Sequence, residues 1–147
     1  MYKKNFAREI ELECFMRKNA GQFSPIFDGG GIGLPAYSKK IKTYGNTIEF
    51  WQKETELAGL LAYYENPEKS YIYITYICVN INMQGKGIAT KLLQQLEHCT
   101  KFPHFEWRLE VSKTNSPAIK LYQKWGFNFS ESRNNKWLMI RSASLNA

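Results

Sequence analysis

At Gln84 the apolar period of this chain changes from two residues to 3.6, and nothing else in the sequence constrains the fold as strongly. Upstream lie three strand-like runs. Residues 47–53 alternate Ile48 and Phe50 against Glu49 and Trp51, residues 56–65 read through Leu57, Leu60, Leu61 and Tyr63, and residues 70–80 are dense in Tyr, Ile, Thr and Val. The turn-forming stretches Lys53-Glu54-Thr55 and Asn66-Pro67-Glu68-Lys69 separate them, which predicts an antiparallel meander. Downstream, Ile88, Ala89, Leu92, Leu93, Leu96 and Cys99 share one face of a helix over 85–100, while Lys91, Gln94, Gln95 and His98 fall on the others.

The remaining elements follow from the same patterns. Residues 105–112 alternate Trp107, Leu109 and Val111 against Arg108 and Glu110, a strand. Asn115-Ser116-Pro117 then supplies a capping residue and a proline suited to a first helical turn, and Gly126 closes that helix after Trp125. Two strands are expected over 127–130 and 136–141. On the N-terminal side, Ile10, Leu12, Phe15 and Met16 mark an amphipathic helix over 7–18, and a second helix over 35–44 ends at Gly45. The order helix, helix, three strands, helix, strand, helix, two strands predicts an α/β fold with a mixed, mostly antiparallel central sheet flanked by helices. No repeat or low-complexity linker interrupts it, so residues 1–147 are expected to form one domain. A chain of this length buries roughly 70% of its unfolded surface and needs no disulfide or metal staple.

Composition narrows the function. No apolar run approaches the ~20 residues of a membrane helix, the longest being broken by Glu65, Lys69 and Asn80. Arg8 and Glu9 interrupt anything like a signal peptide, so a soluble, cytoplasmic protein without membrane attachment is expected. Cys14, Cys78 and Cys99 form no Cys-x-x-Cys pair and read as buried free thiols. Twenty Lys and Arg against thirteen Asp and Glu give a formal charge of +7, which favours a polyanionic partner: nucleic acid, an anionic membrane surface or a phosphorylated cofactor. The densest basic cluster is only Lys39, Lys40 and Lys42, and Tyr63, Tyr64, Tyr71, Tyr73 and Tyr76 alternate like sheet and core rather than interleaving with cations. Nucleic acid is therefore not the expected partner. His98 and His104 have no Cys or carboxylate at metal-ligand spacing, so neither a metal site nor a Ser-His-Asp arrangement is expected. The glycine-rich stretch Asp28-Gly29-Gly30-Gly31-Ile32-Gly33 fails the dinucleotide-binding spacing, which would need glycine in place of Leu34. A loop over 21–34, able to shape a substrate pocket, is the expected reading.

Chemistry concentrates where the period changes. An apolar strand ending at Val79-Asn80 runs into a tight turn, and Gln84-Gly85-Lys86-Gly87-Ile88-Ala89 opens the next helix. The first N–H groups of a helix lack internal partners, its dipole adds partial positive charge, and glycines let an anion approach the main chain closely. The spacing is not that of a P-loop, because Thr90 does not follow a Gly-Lys pair.

This segment resembles the [Gln/Arg]-x-x-Gly-x-[Gly/Ala] acyl-CoA pyrophosphate loop of the GNAT superfamily of N-acetyltransferases. The stretch from Leu109-Glu110-Val111 through Asn115-Ser116-Pro117-Ala118 and Leu121-Tyr122 to Gly126-Phe127 is similar to that family's strand, Asn-initiated helix, tyrosine and closing Gly-Phe. The resemblance is specific over 57–127, with one departure, Ile81 where relatives often carry proline. It implies a sheet whose two central strands splay into a V, and acetyl-CoA as co-substrate. The pyrophosphate would meet Gln84, Gly85, Lys86, Gly87, Ile88, Ala89 and Thr90. The pantetheine arm would pair with Ile77, Cys78 and Val79, the Val79 N–H would face the oxyanion, and Asn115 and Ala118 would add contacts, Asn115 alternatively capping its helix. Homodimers are common in the family.

The same resemblance assigns the proton transfers. Tyr122 sits where the family's general acid sits; a phenol with a reference pKa near 10 stays protonated at neutral pH and can donate to the departing thiolate. Periodicity alone reads Tyr122 as core, one of the stripe Ala118, Leu121, Tyr122 and Trp125. Glu110, on the strand face opposite Leu109 and Val111, is the candidate base, spaced from Tyr122 as in ribosomal-protein alanine N-acetyltransferases; a water relay or a glutamate facing solvent are the alternatives. Glu49, Glu65, Tyr73 and Tyr76 are runners-up. The implied acceptor is a small-molecule amine such as an amino sugar or amino-acid derivative, with a protein N-terminal or lysine amine, or a non-catalytic acetyl-CoA-binding module, as the alternatives.

Overall fold

The computed structural model describes residues 1–23 and 33–143. Its elements are β1 (Tyr2–Lys4), α1 (Glu9–Lys18), α2 (Leu34–Tyr44), β2 (Asn46–Gln52), β3 (Glu56–Asn66), β4 (Tyr71–Val79), α3 (Ile88–Cys99), β5 (Glu106–Ser112), α4 (Ser116–Lys124), β6 (Asn128–Arg133) and β7 (Lys136–Arg141). The strands follow the hydrogen-bonded order β1-β2-β3-β4-β5-β7-β6. The expected mixed α/β class is observed, with β4 and β5 paired parallel and the pairs β1–β2, β2–β3, β5–β7 and β6–β7 antiparallel.

The chain divides into two compact units that interleave in sequence. The first comprises residues 1–63 and 76–98. Its core is the apolar face of α1 (Leu12, Phe15, Met16), Ile41 of α2, Ile48, Leu60 and Leu61 of β2 and β3, and Leu92, Leu93 and Leu96 of α3. Burial of such side chains, at about 1.5–3 kcal/mol each, holds the helices on the strands. Gly59 of β3 lets α3 approach, since a Cβ there would lie 3.0 Å from Ile88 Cγ2. The second unit comprises residues 64–75 and 99–147. Its β4–β5 ladder runs from Tyr71↔Glu106 to Ile74↔Leu109, and β7 pairs antiparallel with both β5 and β6. Ile72, Ile74, Trp107, Leu109, Val111, Phe127 and Met139 are buried in it, whereas all six residues of β6 are exposed.

Three sequence expectations need correction. The strand β1 was not foreseen: three residues cannot display alternation, and its pairing with β2 (Tyr2↔Phe50) joins positions far apart in the chain. The helix expected from residue 85 begins at Ile88, because Gly85 and Gly87 have φ +80° and +78°, left-handed conformations incompatible with a helical turn. Gly45 ends α2 as expected, in an extended conformation, its N–H bonding the Ile41 carbonyl at 2.8 Å. Only Cys78 is a fully buried thiol; Cys14 is exposed and Cys99 half-buried. The glycine-rich stretch, with Gly29, Gly30 and Gly31, lies outside the described residues.

Candidate functional site

In the first unit, Ile77, Cys78 and Val79 end β4 as three consecutive buried residues, so both faces of the strand are covered there. Asn80 stops the strand. Its N–H donates to the Ala58 carbonyl at 2.8 Å, its Nδ2 to the Leu57 carbonyl at 3.4 Å, and its Oδ1 accepts from Asn19 Nδ2 at 2.9 Å. A side chain satisfied on both ends fixes where the following turn leaves the sheet. A single 3-10 turn, Ile81–Met83, leads on to Gln84, whose Nε2 donates back to the Val79 carbonyl at 3.2 Å. Ile81 stands exposed and the turn forms without proline.

Gly85, Lys86 and Gly87 are all exposed, and a Cβ at either glycine would meet nothing within 4 Å. The first bond of the following helix runs from the Lys91 N–H to the Gly87 carbonyl at 3.1 Å. By helix geometry, the N–H groups of Ile88, Ala89 and Thr90 therefore precede any intrahelical partner. Open space beside two left-handed glycines, at the positive end of a 12-residue helix, suits a phosphate group. The sequence-designated loop residues are thus brought together in one place.

Cys78 is no nucleophile. Burial pushes its thiol up to about 11, against partial relief from Tyr76 and the Val79 backbone, so at pH 7 roughly one molecule in ten thousand carries the thiolate. Iodoacetamide at pH 8 is expected to label exposed Cys14 in the folded protein and to reach Cys78 only after denaturation, as read by peptide mass spectrometry. Labelling of Cys78 first would show that its strand opens.

In the second unit, Glu110 and Tyr122 occupy different elements and have different partners. Tyr122 is buried on α4, its ring 5.8 Å from that of Phe127 in an edge arrangement. Asn115 caps α4 by accepting the Ala118 N–H at 3.3 Å, which settles the Oδ1 atom in the capping role. Glu110 is half-buried on β5. Tyr73 of β4 donates its hydroxyl to Glu110 Oε1 at 3.2 Å, and Arg133 of β6 donates Nη1 to Oε2 at 3.4 Å. Burial, then the charge of Glu110 and the bond to it, push the Tyr73 phenol far above its ordinary range, so it remains a donor.

The other runners-up stand apart. Glu49 is completely buried in the first unit, its two oxygens accepting from Phe6 N–H, Ala7 N–H, Thr47 Oγ1 and Trp51 Nε1. Tyr76 is buried against Cys78, burial raising its phenol out of reach of ionisation. Glu65 is half-buried. Sequence reading missed Asn80 and Arg133. The first is one asparagine in a turn, and the second follows an exposed strand with no pattern linking it to Glu110. His98 and His104 are exposed, and among the described residues no group of three or more His, Cys, Asp or Glu could hold a metal. Among them, too, no helix is long and apolar enough to cross a membrane.

Comparison with known proteins gives three kinds of likeness. A family model described as the acetyltransferase (GNAT) family matches residues 7–127. The L-amino acid N-acetyltransferase AaaT of Escherichia coli K12 is 32% identical over 65 residues, which span 43% of this chain and 40% of that protein. Among solved structures, Arabidopsis thaliana NAA60 in complex with a bisubstrate analogue has a TM-score of 0.71 at 15% identity, covering 95% of this chain and 97% of that one. The PaiA N-acetyltransferase of Thermoplasma acidophilum, in complex with coenzyme A, has a TM-score of 0.67 at 16% identity, covering 97% and 99%. At such identities the structural likeness is one of fold.

Proposed function

Because the chain belongs to the GNAT family of acetyltransferases, we propose that residues 1–147 act as one N-acetyltransferase domain that transfers acetyl from acetyl-CoA directly to a primary amine in a ternary complex. The observation that carries this reading is the loop before α3, with two open left-handed glycines and three helix-initial N–H groups. Acetyl-CoA supplies an activated thioester. Gln84, Gly85, Lys86, Gly87, Ile88, Ala89 and Thr90 form the cradle for its pyrophosphate, their N–H groups donating. The main chain of Ile77, Cys78 and Val79 binds the arm, with Asn115 and Ala118 as further contacts. Gln84 holds the Val79 carbonyl, which orients that stretch of strand, and we assign the oxyanion to the Val79 N–H.

Two side chains handle protons. Glu110 takes a proton from the acceptor amine, mostly protonated at neutral pH, and Tyr122 donates one to the departing sulfur. The thiol of Cys78, pushed up to about 11, supports direct transfer over an acetyl-cysteine intermediate. A small-molecule amine of the amino-acid class is the acceptor we favour, on the strength of the 32% identical segment shared with AaaT.

Tyr122→Phe tests the reading. It is expected to lower turnover at least about tenfold, measured by CoA thiol release, while calorimetric affinity for acetyl-CoA stays within about threefold. Loss of affinity in parallel with turnover would make Tyr122 a packing residue.

A further inference from the structure

Resting on the reading that Glu110 meets the acceptor amine, we propose that Arg133 is the specificity residue that recognises an α-carboxylate on the acceptor, so that the substrate is a free α-amino acid. The argument starts from how Glu110 is held. Its Oε1 is taken by the Tyr73 hydroxyl at 3.2 Å on the part-buried side. Its Oε2 is taken by Arg133 Nη1 at 3.4 Å on the exposed side, a long contact between side chains 27% and 45% accessible. A guanidinium therefore sits where an incoming ammonium must bind. At 3.4 Å it is weakly held, and an ammonium at an ordinary charged hydrogen-bond distance of about 2.8 Å displaces it.

Displacement does not release Arg133. Its Nη2 is bonded to Glu131 Oε2 at 3.0 Å, and strand register places Glu110 and Glu131 on either side of the same β7 residue, Leu138. The guanidinium therefore stays beside the amine it has made room for, with the Nη1 edge newly vacant. A carboxylate on the carbon next to that amine comes within reach of this edge. The exchange conserves charge: one internal ion pair becomes two pairs with a zwitterion. A guanidinium fork suits a planar carboxylate, which an amino sugar or the N-terminus of a peptide chain does not offer beside its amine.

The test compares free amino acids with their α-amides, and with peptide amines, as acceptors for wild type, Arg133→Ala and Glu110→Gln, each first shown to bind acetyl-CoA. Wild type is expected to favour the free acid in kcat/KM by at least about thirtyfold, the scale of one lost charge-assisted hydrogen bond pair. Arg133→Ala is expected to erase that preference through KM of the free acid, bringing the free-acid to amide ratio of kcat/KM to within about threefold of one. A preference that is absent in wild type, or that survives Arg133→Ala, overturns the inference. So does acetylation of peptide amines alone. In those cases a loss of turnover in Glu110→Gln of about tenfold or more on the accepted amine keeps the base assignment standing. Unchanged turnover in Glu110→Gln overturns that assignment and the inference together.

Discussion

Gly87→Glu is expected to abolish acetyl-CoA binding, raising its Kd by at least about a hundredfold in calorimetric titration. Two effects act in the same direction. Gly87 has φ +78°, where a residue with a Cβ costs about 1–2 kcal/mol. The new carboxylate would stand at the N-terminus of α3, where the helix dipole and the unpartnered N–H groups attract it. It would thus become an internal competitor for the site that we assign to the pyrophosphate, besides repelling the ligand's charge. Attraction between carboxylate and dipole offsets part of the backbone strain, so the variant should fold. Gly87→Ala separates the contributions, having the strain without the charge, and should weaken binding by no more than about tenfold. Unchanged affinity in Gly87→Glu would remove the loop from the cofactor site.

The largest effect on stability is expected from Glu49→Ala, about 3–5 kcal/mol, because it strands four buried or part-buried donors. The lost carboxylate ties the start of the chain to β2: Phe6 and Ala7, just before α1, reach it from more than 40 residues away. For a chain of this size the loss should lower Tm by about 10 °C or more in a thermal melt. Glu49→Gln is nearly isosteric but should still destabilise. All four partners are donors, and whichever oxygen becomes NH2 would face at least two of them. A melt within about 2 °C of wild type for Glu49→Ala would mean that water or backbone shifts replace the carboxylate.

Glu49 also marks the limit of what the sequence disclosed. Alternation along residues 47–53 placed it on a strand, yet nothing distinguishes a glutamate facing ligand from one closing a turn 42 residues away. Local signals were legible: the strand-to-helix switch near Gln84, the Asn115 cap and the half-buried face of β5 bearing Glu110 all depend on neighbours within a few residues. Pairings across the chain were not. Tyr73 and Arg133 lie 37 and 23 residues from the carboxylate they hold, and Asn19 lies 61 from Asn80. The glycines of the loop were read correctly as permissive, but their left-handed conformations delay α3 by three residues, a detail of backbone geometry that periodicity does not record.

The interleaving of the two units dictates an order of events on the ribosome. Every residue of the first unit has been polymerised once His98 is added, before most of the second unit exists. The segment Tyr71–Ile74 has been polymerised by then, but its parallel partners, Glu106 to Leu109, and the strand β7 that flanks them have not. At about 5–20 residues per second, synthesis of positions 99–141 takes roughly 2–9 s. For that interval the strand edge carrying Ile72 and Ile74 lacks its parallel neighbour, so the pace of translation over positions 99–141 sets how long that edge stays unpaired.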